Sequence, residues 1–275
     1  MACTPCHQDK VDLQSKSRHA LTLKAYDGEG FAGKTLRERG GTTYTYDTQG
    51  VTIREGAAER VIALTWLFGA GHYARTPVFQ DGDRWVEHRL SWYAATGKLS
   101  LTPGHSLQPA ADLDQASGII QSPTNAQRCF ACHKTGDRPG VHCENCHGAQ
   151  AEHPAANTIR RDTSVAACAT CHRSPAREYA SLMPEVEDPL SVRFAPVGFL
   201  VSKCYLKSAG KFTCTTCHDP HQSVAASVTY DKTCAGCHSA KAKAACPRTP
   251  DCASCHMPKS TPAPYLTFTD HRIRK

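Results

Sequence analysis

The pattern C-x-x-C-H occurs seven times in this chain. The copies are CTPCH (Cys3, Cys6, His7), CFACH (Cys129, Cys132, His133), CENCH (Cys143, Cys146, His147), CATCH (Cys168, Cys171, His172), CTTCH (Cys214, Cys217, His218), CAGCH (Cys234, Cys237, His238) and CASCH (Cys252, Cys255, His256). They use 14 of the 16 cysteines and leave only Cys204 and Cys246. With 15 histidines in 275 residues, chance would put one after all seven pairs about once in a billion.

The spacing fits the attachment of c-type haem. Two thiols add to the two porphyrin vinyl groups, and the histidine that follows lies beneath the iron as proximal ligand. Structural zinc and redox dithiols also use CxxC pairs. Neither needs a histidine directly after the second cysteine. Seven covalently attached haem c groups are expected, on the fourteen cysteines and seven histidines named above.

Eight histidines remain: His19, His72, His88, His105, His142, His153, His221 and His271. A second axial ligand per iron must come from these or from methionine, which raises the potential. Methionine is scarce. Met1 is terminal, Met257 adjoins His256 and cannot reach the far face of that haem, and only Met183 is left. The supply therefore fits bis-histidine ligation, with eight candidates for seven places. His221 sits three residues after His218, on the same side of that haem, so it is expected to serve a different iron. His142, directly before Cys143, poses the same problem. His19, His153 and His271 also lie near motifs. His72, His88 and His105 lie in a stretch without motifs, and two of them must serve if every iron is six-coordinate.

The motifs are unevenly placed, which divides the chain into a first haem-binding segment (1–20), a haem-poor region (21–118) and a six-haem region (119–275). In the middle region, TTYTYDTQGVTIREG alternates as strands do. ERVIALTWLFGAG reads as a buried strand. PVFQDGDRWVEHRLSWYAATGKLSL reads as strand, Asp-Gly turn, strand, turn, strand. A small antiparallel β subdomain is expected over about 40–102. In the haem-rich part, TSVAACATCH suggests a short helix capped by Thr163 or Ser164. DPLSVRFAPVGFLVSKCY reads as a proline-punctuated connector, and STPAPYLTFTDHRIRK has no helical period. Aromatic residues make up 7% of the chain and the mean hydropathy is −0.45. Such a chain is expected to build a thin core unless something else fills it.

No apolar run approaches the roughly 18 residues of a membrane span. MACTPCHQDK lacks the apolar stretch of a leader, so the numbering is expected to start at a mature or trimmed end. Haem attachment requires an oxidising compartment, so a periplasmic or extracellular location follows. A Cys204–Cys246 disulfide is expected there, with free buried thiols as the alternative.

The chain resembles the multihaem c-type cytochromes of the doubled-CxxCH kind, related to the tetrahaem cytochromes of the nitrogen cycle. The residues that carry this are VHCENCHGAQAEH (141–153), SKCYLKSAGKFTCTTCHDPH (202–221), YDKTCAGCH (230–238), CASCHMPK and the closing FTDHRIRK. CTPCH with SRHA (17–20) fits as well, as do GAGHYART, RLSWY and LTPGH. The resemblance implies distal-ligand roles for His19, His142, His153, His221 and His271. It also implies the extra cysteine pair, and electron transfer more firmly than any one reaction. The expected fold class is a mostly irregular/α multihaem cytochrome c with a haem-packed core, plus a small antiparallel β subdomain.

Three functions compete. The first is a carrier or conduit passing electrons between redox partner proteins or to an extracellular acceptor. The second is a reductase of a small nitrogen or sulfur oxyanion, which needs one open iron. No CxxCK variant marks such an iron, and histidines suffice for all seven. The third is the repeating unit of a haem filament, a homo-polymer, since motifs lie near both ends of the sequence. The formal charge of +7 does not argue for nucleic acid. Each haem brings two propionates, so a ferric bis-histidine haem carries about −1 and a ferrous one about −2. Many of the Lys and Arg side chains are expected to offset propionates.

Overall fold

A computed structural model of the chain describes residues 3–148, 159–173, 186–225, 228–238 and 251–274. They fall into two compact units, Met1–Asn145 and Cys146–Lys275.

The first unit opens with helix α1 (Thr4–Ser15), which has Pro5 in its first turn, where a missing N–H costs nothing. Ten strands follow: β1 (Leu23–Ala25), β2 (Thr35–Arg37), β3 (Thr43–Tyr46), β4 (Gly50–Glu55), β5 (Ala58–Ala63), β6 (Trp66–Phe68), β7 (Ala74–Asp81), β8 (Arg84–His88), β9 (Leu90–Tyr93) and β10 (Lys98–Leu101). Helix α2 (Leu113–Ser117), strand β11 (Gly118–Gln121), helix α3 (Pro123–His133) and the short pair β12 (Lys134–Thr135) and β13 (Arg138–Pro139) complete it.

Strands β2 to β5 form one antiparallel sheet in chain order. A seven-stranded sheet runs β1-β6-β7-β8-β11, with β9 bonded to β7 and β10 to β9. Alternation explains the strands: Tyr44 and Tyr46 are buried on β3, and Arg75, Pro77 and Phe79 on β7, with less buried neighbours between them. The inward residues of both sheets meet in one cluster. Tyr44, Tyr46, Val51, Ile53 and Ile62 come from the smaller sheet, and Leu67, Phe79, Val86 and Leu90 from the larger. Each such side chain contributes roughly 2–3 kcal/mol when fully buried. Two of the buried tyrosines keep their polar tips satisfied, while the Tyr44 hydroxyl has no partner among the described residues. Tyr46 Oη lies 2.6 Å from His88 Nε2, and Tyr93 Oη donates to the Leu101 carbonyl at 2.5 Å.

In the chain order that follows come α4 (Cys143–His147), α5 (Val165–His172), a 3-10 turn (Pro189–Arg193), α6 (Ala195–Leu200) and α7 (Lys203–Lys207). After them come a 3-10 turn (Cys214–Thr216), α8 (Asp231–Cys237), α9 (Cys252–His256), and strands β14 (Lys259–Ala263) and β15 (Leu266–Thr269). These helices are short and lean on caps. Ser164 accepts from Ala167 N, Ser202 from Tyr205 N and Asp251 from Ser254 N. Val165, Ala169, Val197, Phe199 and Val201 are buried, and the Phe199 ring packs on Tyr205 and Phe212 at 5.5 Å each. No helix among the described residues is long and apolar enough to cross a membrane.

The structure corrects the expected fold class. The chain is β-rich rather than mostly irregular/α around a haem-packed core: among the described residues about 31% is helix and 27% strand, in several antiparallel sheets. The thin-core expectation averaged composition over the whole chain. The apolar and tyrosine residues are instead concentrated in 23–101, where alternation gathers them into a side-chain core of their own. The haem-rich part departs too. STPAPYLTFTDHRIRK contains the antiparallel pair β14 and β15, and the supposed connector DPLSVRFAPVGFLVSKCY forms a 3-10 turn and two helices.

Burial lowers the His88 pKa to about 4 from its ordinary 6.5. The unfolded chain therefore takes up this proton first as the pH falls. Stability is unaffected by His88 above pH 6.5 and declines from there to about 4. Urea unfolding followed by tryptophan fluorescence, which reports on this unit through Trp66, Trp85 and Trp92, should show about 2 kcal/mol less stability from His88 at pH 5 than at pH 7.5. Much of that difference should vanish in His88→Gln.

Candidate functional site

Six of the seven motifs lie on or at the end of a helix, and the CTTCH motif begins on the 3-10 turn (Cys214–Thr216). One helical turn sets the cysteines at i and i+3 on the same side, with the histidine next to the second. The turn is closed by backbone bonds across the motif: His7 N to Cys3 O at 3.0 Å, His218 N to Cys214 O at 3.0 Å, and His238 N to Cys234 O at 2.9 Å. None of the fifteen described cysteines is bridged to another, so both thiols of every motif are available for thioether bonds. The expected Cys204–Cys246 disulfide involves Cys246, which lies outside the described residues, as does His153.

The histidine rings are held from behind. His147 Nδ1 donates to the Arg160 carbonyl at 2.8 Å, His256 Nδ1 to the Arg274 carbonyl at 2.8 Å and His271 Nδ1 to the Thr269 carbonyl at 3.0 Å. His133 Nδ1 lies 2.8 Å from Thr22 Oγ1 and 3.2 Å from the Thr22 carbonyl. His218 Nδ1 pairs with Tyr230 Oη at 3.2 Å, and His221 Nδ1 donates to Asp219 Oδ1 at 2.8 Å. A proton fixed on Nδ1 leaves the lone pair on Nε2, so that this nitrogen can act as an axial ligand. Burial lowers the pKa of His133, His218 and His271, which keeps these rings neutral and able to ligate at neutral pH.

Two pairs of rings lie close together. His147 and His221 have centroids 6.0 Å apart and planes within 9° of parallel. His218 and His271 are 6.2 Å apart at 42°. Two imidazoles on opposite faces of one iron, each bonded through Nε2 at about 2 Å, place their centroids about 6 Å apart. The backbone of α6 permits the second pair. A Cβ on Gly198 would stand 2.7 Å from the Arg272 nitrogen and 3.1 Å from the His271 carbonyl carbon.

The remaining histidines differ sharply. His142 has Nε2 on the Pro139 carbonyl at 2.9 Å, while its buried Nδ1 has no partner among the described residues. His105 is buried and its Nε2 is likewise unpartnered there, with Glu87 Oε2 4.0 Å away. Burial lowers its pKa to about 4, so it is neutral. His88 has both nitrogens engaged, with Tyr46 Oη and with the Ser117 carbonyl at 2.8 Å, and it is 0% exposed. His72 is exposed and His19 half-buried. The His19 carbonyl accepts from Val141 N at 2.9 Å, next to His142.

Thiols from different motifs also come together. Cys3 interacts with Cys143, Cys168 with Cys214, and Cys234 with Cys252. Around the CFACH motif, Phe130 packs against Trp85 at 4.9 Å, Phe68 at 5.4 Å and Trp66 at 6.3 Å. Phe68 meets the His133 ring at 5.0 Å. Neither this aromatic wall nor the Nδ1 acceptors were found from the sequence. Period-two pattern marks Trp66 and Trp85 as strand residues but not as neighbours of a motif, and a backbone carbonyl carries no sequence signal.

Residues 208–243 match the family described as the doubled CXXCH motif. No curated protein matches the chain. Among solved structures the chain is similar to the outer cell wall cytochrome OcwA, with a TM-score of 0.63 at 15% identity over 99% of this chain and 78% of that one. At that identity the likeness is one of fold.

Gly198→Ala should push the His271 segment off α6. A loss of one low-spin iron signal in electron paramagnetic resonance, with the other signals retained, is the expected result.

Proposed function

We propose that this chain is an electron-transfer protein carrying seven covalently bound haem c groups, each held between two histidines. The observation that carries this reading is the closeness of His147 to His221, and of His218 to His271, at centroid separations that match two axial ligands on one iron. The doubled CXXCH match and the fold shared with an outer cell wall cytochrome support multihaem electron transfer. When bound, each haem supplies a one-electron iron couple.

The chain's own residues do the rest. In this reading the fourteen motif cysteines anchor the porphyrins and His7, His133, His147, His172, His218, His238 and His256 ligate from the proximal side. With both nitrogens committed inside the β core, His88 is the spare. Seven distal ligands then remain for seven irons: His19, His72, His105, His142, His153, His221 and His271. Bis-histidine ligation closes each iron to substrates, which favours transfer over reduction of an oxyanion. Thiols of successive motifs that lie close enough to interact favour closely packed haems. Covalent haem and the cell-wall likeness favour a periplasmic or extracellular location, with redox partners there.

Intact mass and pyridine haemochrome analysis should give seven haems per chain. Electron paramagnetic resonance of the oxidised protein should show low-spin iron only, unchanged by nitrite or cyanide. A high-spin fraction near one in seven would instead indicate an open, reductase-type iron. His88→Gln should leave every iron low-spin, whereas His271→Gln or His105→Gln should each turn one high-spin. A new high-spin signal in His88→Gln would overturn its assignment as the spare.

A further inference from the structure

We propose that Asp219 lowers the reduction potential of one haem, the one attached at Cys143 and Cys146, by accepting the Nδ1 proton of its distal ligand His221. The proposal rests on the seven-haem reading above and adds which residue sets a potential within it.

The His221 ring lies beside that of His147, not that of its own neighbouring motif, with centroids 6.0 Å apart and nearly parallel planes. Its iron is therefore the one anchored by the CENCH motif. Asp219 Oδ1 accepts from His221 Nδ1 at 2.8 Å and from the His221 backbone N–H at 3.0 Å. Oδ2 accepts from Gln222 Nε2 at 3.3 Å. Pro220 stands between Asp219 and His221 and restricts the turn. One carboxylate thus fixes both the chain and the ring of the ligand.

The chemistry of this acceptor differs from the others. The rings of His133, His147, His218, His256 and His271 have carbonyls or hydroxyls behind Nδ1. Of these six described rings, His221 is the one whose Nδ1 hydrogen-bonds to a carboxylate. A carboxylate draws the Nδ1 proton toward itself and makes the imidazole a stronger donor to iron. It also places a negative charge near a centre whose oxidised form is the more positive. Both effects favour ferric over ferrous iron and lower the potential. The Asp219 side chain is 34% exposed, so solvent screens part of the effect.

A structural role alone would be met by the bond to the backbone N–H, and Asp219→Asn separates the two. The amide oxygen keeps both hydrogen bonds and loses the charge. Spectroelectrochemical titration of the full holoprotein should show one of the seven midpoint potentials rising in Asp219→Asn and six unmoved, with all irons still low-spin. Asp219→Ala should raise the same potential further and alter the low-spin resonance of that iron. If Asp219→Asn leaves every potential in place, Asp219 is a turn former and the proposal fails. A shift shared by all seven would equally overturn it, as a general charge effect. His221→Ala keeps the underlying reading separate: if no iron becomes high-spin in that variant, it is the ligand assignment that fails.

Discussion

Each CxxCH segment commits two sulfurs and one imidazole to a single face of a porphyrin. The opposite axial ligand must then arrive from another part of the chain, because residues close to the motif cannot pass round the ring. Every six-coordinate haem in such a chain is thus a cross-link between distant segments, and folding has to bring those segments together. The final hairpin shows how little chain this takes. Strands β14 and β15 turn the backbone round, so that Arg274 returns its carbonyl to the His256 ring while His271 reaches His218. Gly198 leaves the room that lets α6 pack on this returning segment.

The first unit answers a different requirement. It carries few motifs for its length and is stabilised by ordinary burial between two sheets. Its largest buried side chains include Tyr44, Tyr46 and Tyr93, which suit a chain poor in aliphatic residues when their hydroxyls find acceptors. His88 belongs to this solution. It bridges Tyr46 to the Ser117 carbonyl and satisfies polar groups that would otherwise be buried at a cost of about 1–3 kcal/mol each.

Local chemistry was legible in the sequence because it has a short period. The motif spacing, the strands around Thr43–Glu55 and Ala74–Tyr93, and the Ser164 cap all depend on residues within a few positions of each other. The fold class was misread because composition over 275 residues hides where the apolar residues sit. Pro262 and Pro264 obscured the last hairpin, although proline is tolerated at a strand edge and in a turn. His88 and His105 could not be told apart from sequence, since both lie in a region without motifs. Their difference lies in distant neighbours: Tyr46 and Ser117 engage both nitrogens of one, and no described residue hydrogen-bonds to Nε2 of the other.

If all seven irons carry two imidazoles, ligand identity cannot distinguish their potentials. Burial, nearby charge and the acceptor behind each ring are what remain. The acceptors do vary along this chain, from backbone carbonyls behind His147, His256 and His271 to a phenol behind His218 and a carboxylate behind His221. A carbonyl at Nδ1 is fixed by the fold and changes only when the backbone moves. A side-chain acceptor can be exchanged by one substitution without disturbing the haem it serves. If these rings ligate haem, Thr22, Tyr230 and Asp219 are positions where a chain built on one repeated ligand set can still adjust its irons one at a time.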